Sequence, residues 1–263
     1  MSTSAVECHN SATASPLKLR AARVLTSDLA GRLIGPLSGY RVRHHGLWFD
    51  VRSSDFSSQV RAQMFWGAYE SAETRMIRGL LCGSMAVVEL GSSLGITTAH
   101  IAALMAQGGH LVCVEANPRL MPGLRERLAR RTASLQVDFL HAAVTGHCGE
   151  AFLGLSARTV GSRLSPACPD DGTVIVPALT LREILRRTGV RDFDLVSDIE
   201  GAESSFLLDD PGVMRGCRRA IIELHDTTVD GRDISVSDLA EAMAAAGLRV
   251  IRRHGPVMAL TRS

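Results

Sequence analysis

The sequence predicts an α/β protein with a doubly wound, mostly parallel sheet that closes in a C-terminal antiparallel hairpin. Three observations predict it. Short continuous apolar runs, MAVVEL (Met85 to Leu90) and HLVCVE (His110 to Glu115), alternate with stretches of helical periodicity, as expected of strands buried on both faces of a parallel sheet. A glycine loop, Gly91 to Gly95, joins the first run to the next helix, the connection found where such sheets hold nucleotide-like ligands. The last segment, LRVIRRHGPVMALTR, sets two apolar runs around His254 and Gly255, a hairpin signal.

Along the chain, residues 1–38 read as an N-terminal extension, partly disordered, because Met1 to Pro16 is rich in Ser, Thr and Ala. Residues 39–263 read as one domain, divided into an N-terminal hairpin and helical segment (39–84) and a Rossmann-like core (85–263). Regular structure is expected from Tyr40, where YRVRHHGLWFDVR alternates around His45 and Gly46. A helix is expected over 57–81, with Met76, Ile77, Leu80 and Leu81 on one face. After the first strand, a helix places Ile96, Ala99, Ala103 and Leu104 on one side and stops at Gly108. Asn117 and Pro118 should open the following helix, to about Arg131, and LQVDFL is the third strand, ending before His141. From Val144 to Pro177 periodicity is poor and Gly, Ser, Pro and Cys accumulate, which predicts an irregular insertion. Thr180 and Glu183 form a capping-box pattern for LREILRRTG. Strands follow at DFDLVSD and RAIIELH, then a helix with Leu239, Ala242, Met243 and Ala246 in one stripe before Gly247.

Composition narrows the function. The 263 residues are 46% hydrophobic, enough for one substantial core. Net charge is +2, too even a balance to indicate a nucleic-acid partner. Lys18 is the only lysine, and the Arg clusters RERLARR, REILRR and RGCRR fall in or beside helices as solvated faces. The six cysteines never form a CxxC pair, the N-terminus lacks a basic and an apolar signal region, and no apolar run approaches a bilayer span. These features predict a cytoplasmic protein with reduced thiols and no membrane span. Self-association is left open.

Ligands of such sheets sit at the carboxyl ends of the strands. There the chain places Glu89, Gly91, Ser92 and Gly95 after the first strand. The glycines allow a tight turn and close approach of a ligand. Glu115 ends the second strand, where a carboxylate can accept both hydroxyls of an adenosine ribose, a device shared with NAD sites. The loop is not GxGxxG, and Glu89 would repel a pyrophosphate while tolerating an ammonium, so the charges favour S-adenosylmethionine. The fourth and fifth strands end with Asp198, Glu200, Glu203, Glu223, His225 and Asp226. Asp198, Glu200 and His225 are the candidate catalytic groups, His225 as proton acceptor because its ordinary pKa lies near neutrality. For Glu203 the alternative role is to orient the loop around Gly201, and for Glu223 it is that of a buried hydrogen-bond partner. His44, His45 and His100 lack metal-ligand spacing.

Several segments together resemble the FkbM methyltransferases: GAYESAE (Gly67 to Glu73), VVELGSSLG, CVEANP (Cys113 to Pro118), HAAV (His141 to Val144), LTLREIL, SDIEGAE (Ser197 to Glu203) and IIELH (Ile221 to His225). The resemblance spans Trp66 to His225. It departs from the family in Ser92-Ser93 within the loop and in Ser197, where the family often carries lysine. It implies a class I methyltransferase fold with S-adenosylmethionine held by Tyr69, Glu89, Gly91, Ser92, Gly95, Glu115, Ala116, Ala142, Ala143 and Asp198. The acceptor implied is a hydroxyl of a sugar, glycolipid or secondary metabolite. RNA or protein methylation, and a non-catalytic adenosyl-binding module, are the alternatives. A metal-independent base is favoured over a divalent ion held by Asp198 and His225.

Overall fold

The computed structural model describes residues 24–155, 163–164, 172–229 and 231–263. The Ser-rich tail before Pro16, Cys8 and Cys168 lie outside the described residues. Contacts divide the chain into two compact units, Met1–Tyr69 and Glu70–Ser263.

In the first unit, helix α1 (Asp28–Leu37) falls inside the expected extension. Ser27 caps it by accepting from the Ala30 amide at 3.3 Å. Strands β1 (Arg41–His44) and β2 (Leu47–Asp50) pair antiparallel. Their two-residue turn, His45-Gly46, has both φ angles positive, at 42° and 95°, which matches the right-handed twist of a hairpin. Helix α2 (Ser58–Phe65) packs Val60, Ala62 and Met64 into a core with Val42, Phe49 and Phe56.

The single helix expected over 57–81 is two: α2 and α3 (Ser71–Leu80). Gly67 (φ 64°) and Glu70 (φ 41°) adopt left-handed backbone between them, a conformation that ends a right-handed helix.

The second unit is built on seven strands: β3 (Ala86–Leu90), β4 (His110–Glu115), β5 (Gln136–His141), β10 (Phe193–Ser197), β11 (Cys217–Glu223), β14 (Leu248–His254) and β15 (Val257–Arg262). They lie in the order β14-β15-β11-β10-β3-β4-β5. The five strands from β11 to β5 are parallel, and β15 runs antiparallel to β11 and β14. This is the doubly wound, mostly parallel sheet with a C-terminal antiparallel hairpin that the sequence predicts. Alternate β3 residues face opposite cores: Val88 and Leu90 pack with Leu195 and Ile222, whereas Val87 packs with Met76 and Ile77 of α3. Burial on both faces is why these strands are continuous apolar runs.

Three local expectations are corrected. The helix α5 (Met121–Leu128) starts later than Asn117, because the Asn117 side chain accepts from the Arg119 amide at 3.0 Å and forms a turn instead. Part of the expected irregular insertion is a four-stranded sheet, order β6-β9-β7-β8, made of Ala143–Val144, Thr173–Leu179, Gly149–Gly154 and Arg163–Leu164. Only half of the Thr180–Glu183 capping box forms in helix α6 (Leu181–Thr188). Thr180 accepts from the Glu183 amide at 3.1 Å, while the Glu183 carboxylate turns to Arg186 and Arg187 at 2.6 to 2.8 Å. Charge-assisted pairing with two guanidiniums outweighs one neutral amide. Cys82, Cys113, Cys148 and Cys217 are free thiols. Among the described residues, no helix is long and apolar enough to cross a membrane.

One buried ion pair pins the sheet's lower edge. Asp194 of β10 is fully buried, and Arg219 of β11 reaches it at 2.5 and 2.9 Å while also donating to the Leu80 carbonyl and the Ser84 hydroxyl. Removing Arg219 leaves the buried Asp194 charge with only the half-exposed Arg218, at 3.8 Å. Arg219→Leu should therefore destabilise the protein by about 3–5 kcal/mol in denaturant unfolding; a loss under ~1 kcal/mol would show that Asp194 finds another partner or a proton.

Candidate active site

The chain reverses its direction of sheet growth between β3 and β10, so the crevice of a doubly wound sheet lies at their carboxyl ends. The glycine loop starts there. The Gly91 and Ser92 amides both donate to the Val114 carbonyl, at 2.9 and 3.0 Å, and the Asp198 amide donates to the Leu90 carbonyl at 3.0 Å. Gly91 has φ 86°, and a Cβ on it would lie 2.0 Å from the Asp198 carbonyl oxygen. What approaches this glycine is thus the backbone that follows the neighbouring strand β10, where the sequence suggested a tight turn and a ligand. Gly95, at φ 73°, sits before helix α4 (Ile96–Ala102), and a Cβ there would meet Leu124 at 2.6 Å.

Two carboxylates shape the loop. Glu89, 1% exposed, accepts from the Ser92 and Thr98 hydroxyls at 2.8 and 2.6 Å, and burial pushes its pKa up to about 7. Its second oxygen, Oε1, is buried without a hydrogen-bond partner among the described residues. Glu115, at the end of β4, accepts from the Ser93 amide through Oε2 and from the Asn117 amide through Oε1, each at 2.7 Å. Burial raises its pKa as well, against those two hydrogen bonds. Ala116 follows, and its carbonyl accepts from His141 Nε2 at 3.0 Å. The buried Ala142 donates its amide to the Glu115 carbonyl at 3.1 Å, with the buried Ala143 beside it. Glu89, Gly91, Ser92, Gly95, Glu115, Ala116, Ala142 and Ala143 therefore converge at the ends of β3, β4 and β5. Tyr69 closes the first unit; it is buried, and its carbonyl accepts from His44 Nε2 at 2.8 Å.

A second group sits at the ends of β10 and β11. His225 Nδ1 donates to Glu203 Oε1 at 3.3 Å, and its Nε2 lies 3.6 Å from Glu223 and 3.8 Å from Glu200. Glu203, 0% exposed, also accepts from the Ile199 amide at 3.3 Å, so it both orients the loop and holds the imidazole. Glu200 is presented from left-handed backbone, φ 55°, a strained conformation for a side-chain-bearing residue of a kind concentrated at functional sites. Asp198 Oδ1 and Ser197 Oγ are buried without hydrogen-bond partners among the described residues.

These acids change each other's protonation. Glu203, above all, raises the His225 pKa to about 9. Burial, then the charge of Glu200, raises Asp198 to about 7. Burial, then Asp198 and a hydrogen bond with Glu73, raises Glu223 to about 8. The expected pKa of His225 near neutrality is therefore corrected: at pH 7 the ring is an imidazolium, and the group poised there is Asp198. Sequence reasoning missed Glu73, whose only signal was its place at the end of the GAYESAE segment. It also missed Thr98 and Ser93, which touch the carboxylates through helix and loop geometry.

Fold and site define a protein that holds a nucleoside-bearing ligand over the glycine loop, with an acidic, proton-rich cluster beside it. The Methyltransferase FkbM domain matches residues 89–250, more than half of the chain, and the chain belongs to that family. It is a methyltransferase whose methyl donor is S-adenosylmethionine. The residues present fit that donor: a carboxylate ends β4 where ribose hydroxyls can donate, and Glu89 Oε1 and Asp198 Oδ1 are buried without hydrogen-bond partners among the described residues. No curated protein matches the chain. Among solved structures it is similar to Aeropyrum pernix fibrillarin in complex with natively bound S-adenosyl-L-methionine (13% identity, 72% of each chain, TM-score 0.43). It is also similar to the ribosomal protein L11 methylase of Lactobacillus delbrueckii subsp. bulgaricus (10% identity, 75% of this chain and 80% of that one, TM-score 0.41).

Two measurements follow from the geometry. Gly91→Ala should destabilise the fold by about 2 kcal/mol or more, because a methyl group must displace the β10 backbone and strain a positive φ; a variant as stable as the wild type would remove the packing argument. The second concerns pH. Asp198, Glu223 and His225 all have raised pKa values, so over roughly pH 4 to 9 the folded state binds more protons than the unfolded one, and their contribution to stability falls as pH rises. Asp198→Asn should therefore gain on the wild type by about 1–4 kcal/mol between pH 5 and pH 8 in denaturant titrations. A difference that is constant or shrinks with pH would contradict the raised Asp198 pKa.

Proposed function

We propose that this methyltransferase acts on oxygen, on a hydroxyl of a sugar, glycolipid or other secondary metabolite, with Asp198 as the proton acceptor. The observation that carries the reading is the position of Asp198. It is largely buried, it ends β10 against Gly91, and its Oδ1 has no hydrogen-bond partner among the described residues. A hydroxyl is a poor nucleophile while protonated, and a base with a pKa close to ambient pH removes that proton most effectively. When bound, S-adenosylmethionine supplies a methyl group on a sulfonium. The acceptor oxygen gains that carbon as the carbon–sulfur bond breaks, the bonding pair stays on sulfur, and the hydroxyl proton passes to Asp198.

The other residues act around this step. The His225 imidazolium, held by Glu203, offsets the surrounding carboxylates and keeps the Asp198 pKa from rising further. Glu200 and Glu223 position the acceptor hydroxyl. Glu115 accepts the ribose hydroxyls with the lone pairs left by Ser93 and Asn117, and Ser92, Ala116, Ala142 and Ala143 line the adenosyl side with backbone.

The test is kinetic. Wild-type kcat should rise with pH through a midpoint near 7, persist in EDTA, and fall ~100-fold or more in Asp198→Asn, the range for loss of a general base. In calorimetry, Glu115→Ala should weaken S-adenosylhomocysteine by about 1–3 kcal/mol. A flat pH profile from 6 to 8, or an undiminished Asp198→Asn, would return the role to another group; loss of activity in EDTA with recovery in magnesium would make Asp198 a metal ligand.

A further inference from the structure

Next to the acidic cluster lies a cavity of about 810 Å³, a volume suited to one small molecule. Two observations tie it to the site. Ile199 lines it and, through Cγ2, also comes within 3.4 Å of a Cβ built on Gly91. Glu200 lines it and also stands 3.8 Å from His225 Nε2. The cavity thus opens beside the groups that handle the proton.

Its wall has a definite chemistry. Carboxylates come from Glu200, Asp209, Asp226 and Asp233, and hydroxyls from residues that include Ser205 and Thr228, while no Arg or Lys lines it among the described residues. Asp226 accepts from the Val236 amide at 2.8 Å and Asp233 from the Thr228 hydroxyl at 2.8 Å, so the donors these acids meet are neutral and leave their charge in place. The chain as a whole carries +2, which makes this concentration of negative charge local. The lining run 199–202 also joins the cavity to the reacting groups along the chain, since Asp198 precedes it and the fully buried Glu203 follows it, each with one carboxylate oxygen buried without a hydrogen-bond partner among the described residues.

Resting on the methyltransferase reading above, we infer that this cavity binds the methyl acceptor, and that the acceptor is a hydroxyl-rich compound bearing a protonated amine, of the amino-sugar or aminocyclitol class. An ammonium would be drawn by the four carboxylates and its hydroxyl groups matched by the Ser and Thr side chains. A phosphorylated sugar or a carboxylate would meet four like charges, with His147 as the one basic side chain in the wall among the described residues.

The test uses three probes of similar type in calorimetry at physiological salt: neamine, a two-ring amino sugar–aminocyclitol; maltose, neutral; and glucose 6-phosphate, anionic. Neamine should bind at least about tenfold more tightly than maltose, and glucose 6-phosphate should give no heat. Asp209→Asn and Asp233→Asn, both at exposed positions, should each weaken neamine by about tenfold, the loss of one charge-assisted contact, and leave S-adenosylhomocysteine affinity unchanged. Neamine binding no better than maltose, binding of glucose 6-phosphate, or Asn variants that bind neamine as the wild type does would each overturn the inference. Titration of S-adenosylhomocysteine into the same samples separates the causes. If it binds and neamine fails, the acceptor class is wrong; if it does not bind, the methyltransferase reading fails and the inference with it.

Discussion

The contact on which the site depends is between two backbones. The Asp198 carbonyl occupies the space where Gly91 would carry a Cβ, at 2.0 Å from that position, while the Asp198 amide is bonded to Leu90. Only a glycine permits both. That approach lets the end of β10 close over the loop after β3, and so puts the loop proposed to hold the adenosyl group next to the carboxylate proposed to take the proton. Methyl transfer is an in-line displacement whose rate depends on positioning. A backbone contact at the switch point is a stiffer way of setting that distance than a pair of side chains, because it has no rotamers to lose.

The two halves of the site handle their carboxylates differently. Glu115 and Glu89 are buried but occupied: backbone amides bond both oxygens of Glu115, and hydroxyls bond one oxygen of Glu89. Those acids fix a loop. On the β10 and β11 side, Asp198, Glu200, Glu203 and Glu223 share one imidazole, and Glu73 bonds Glu223. Like charges in so small a space cannot all ionise at neutral pH, so the cluster keeps protons that isolated carboxylates would release. His225 pulls both Asp198 and Glu223 down, yet they differ: Asp198 has a pKa of about 7, whereas Glu223, which also bonds Glu73, is held at about 8.

What the sequence made legible follows from burial. Strands β3, β4, β10 and β11 are packed on both faces, and their apolar runs mark them within a residue or two. The acids at the strand ends were legible because a doubly wound sheet puts its ligand there. Elements whose identity depends on contacts elsewhere were not. The break between α2 and α3 turns on a left-handed Glu70, a residue with no propensity for it. The second sheet, β6 to β9, read as loop because two of its strands are two residues long and Pro177 interrupts the apolar run of β9. The charge state of His225 was hidden for a third reason: a pKa is set by neighbours in space, and Glu203 lies 22 residues away in the chain. Glu73, further still, could be found only once α3 was seen against β11.

The cavity shows how such a site can keep its chemistry while its acceptor changes. Its acidic wall is drawn mainly from connections: the loop after β10, Asp209 beyond the short helix α7 (Ser204–Leu207), and the hairpin of β12 (Thr227–Val229) and β13 (Arg232–Ile234) that begins two residues after His225. None of the three Asp residues is in a sheet strand of the seven-stranded core or bonded to His225. Charges placed on connections can be exchanged without moving the register of β10 against β3, because loops tolerate substitution that a doubly buried strand does not. Glu200 is the exception, since it faces the cavity and the imidazole at once. It also carries the strained backbone. That strain is consistent with a residue held by two demands, presenting one carboxylate to an acceptor while keeping it within reach of the cation that sets the cluster's protonation.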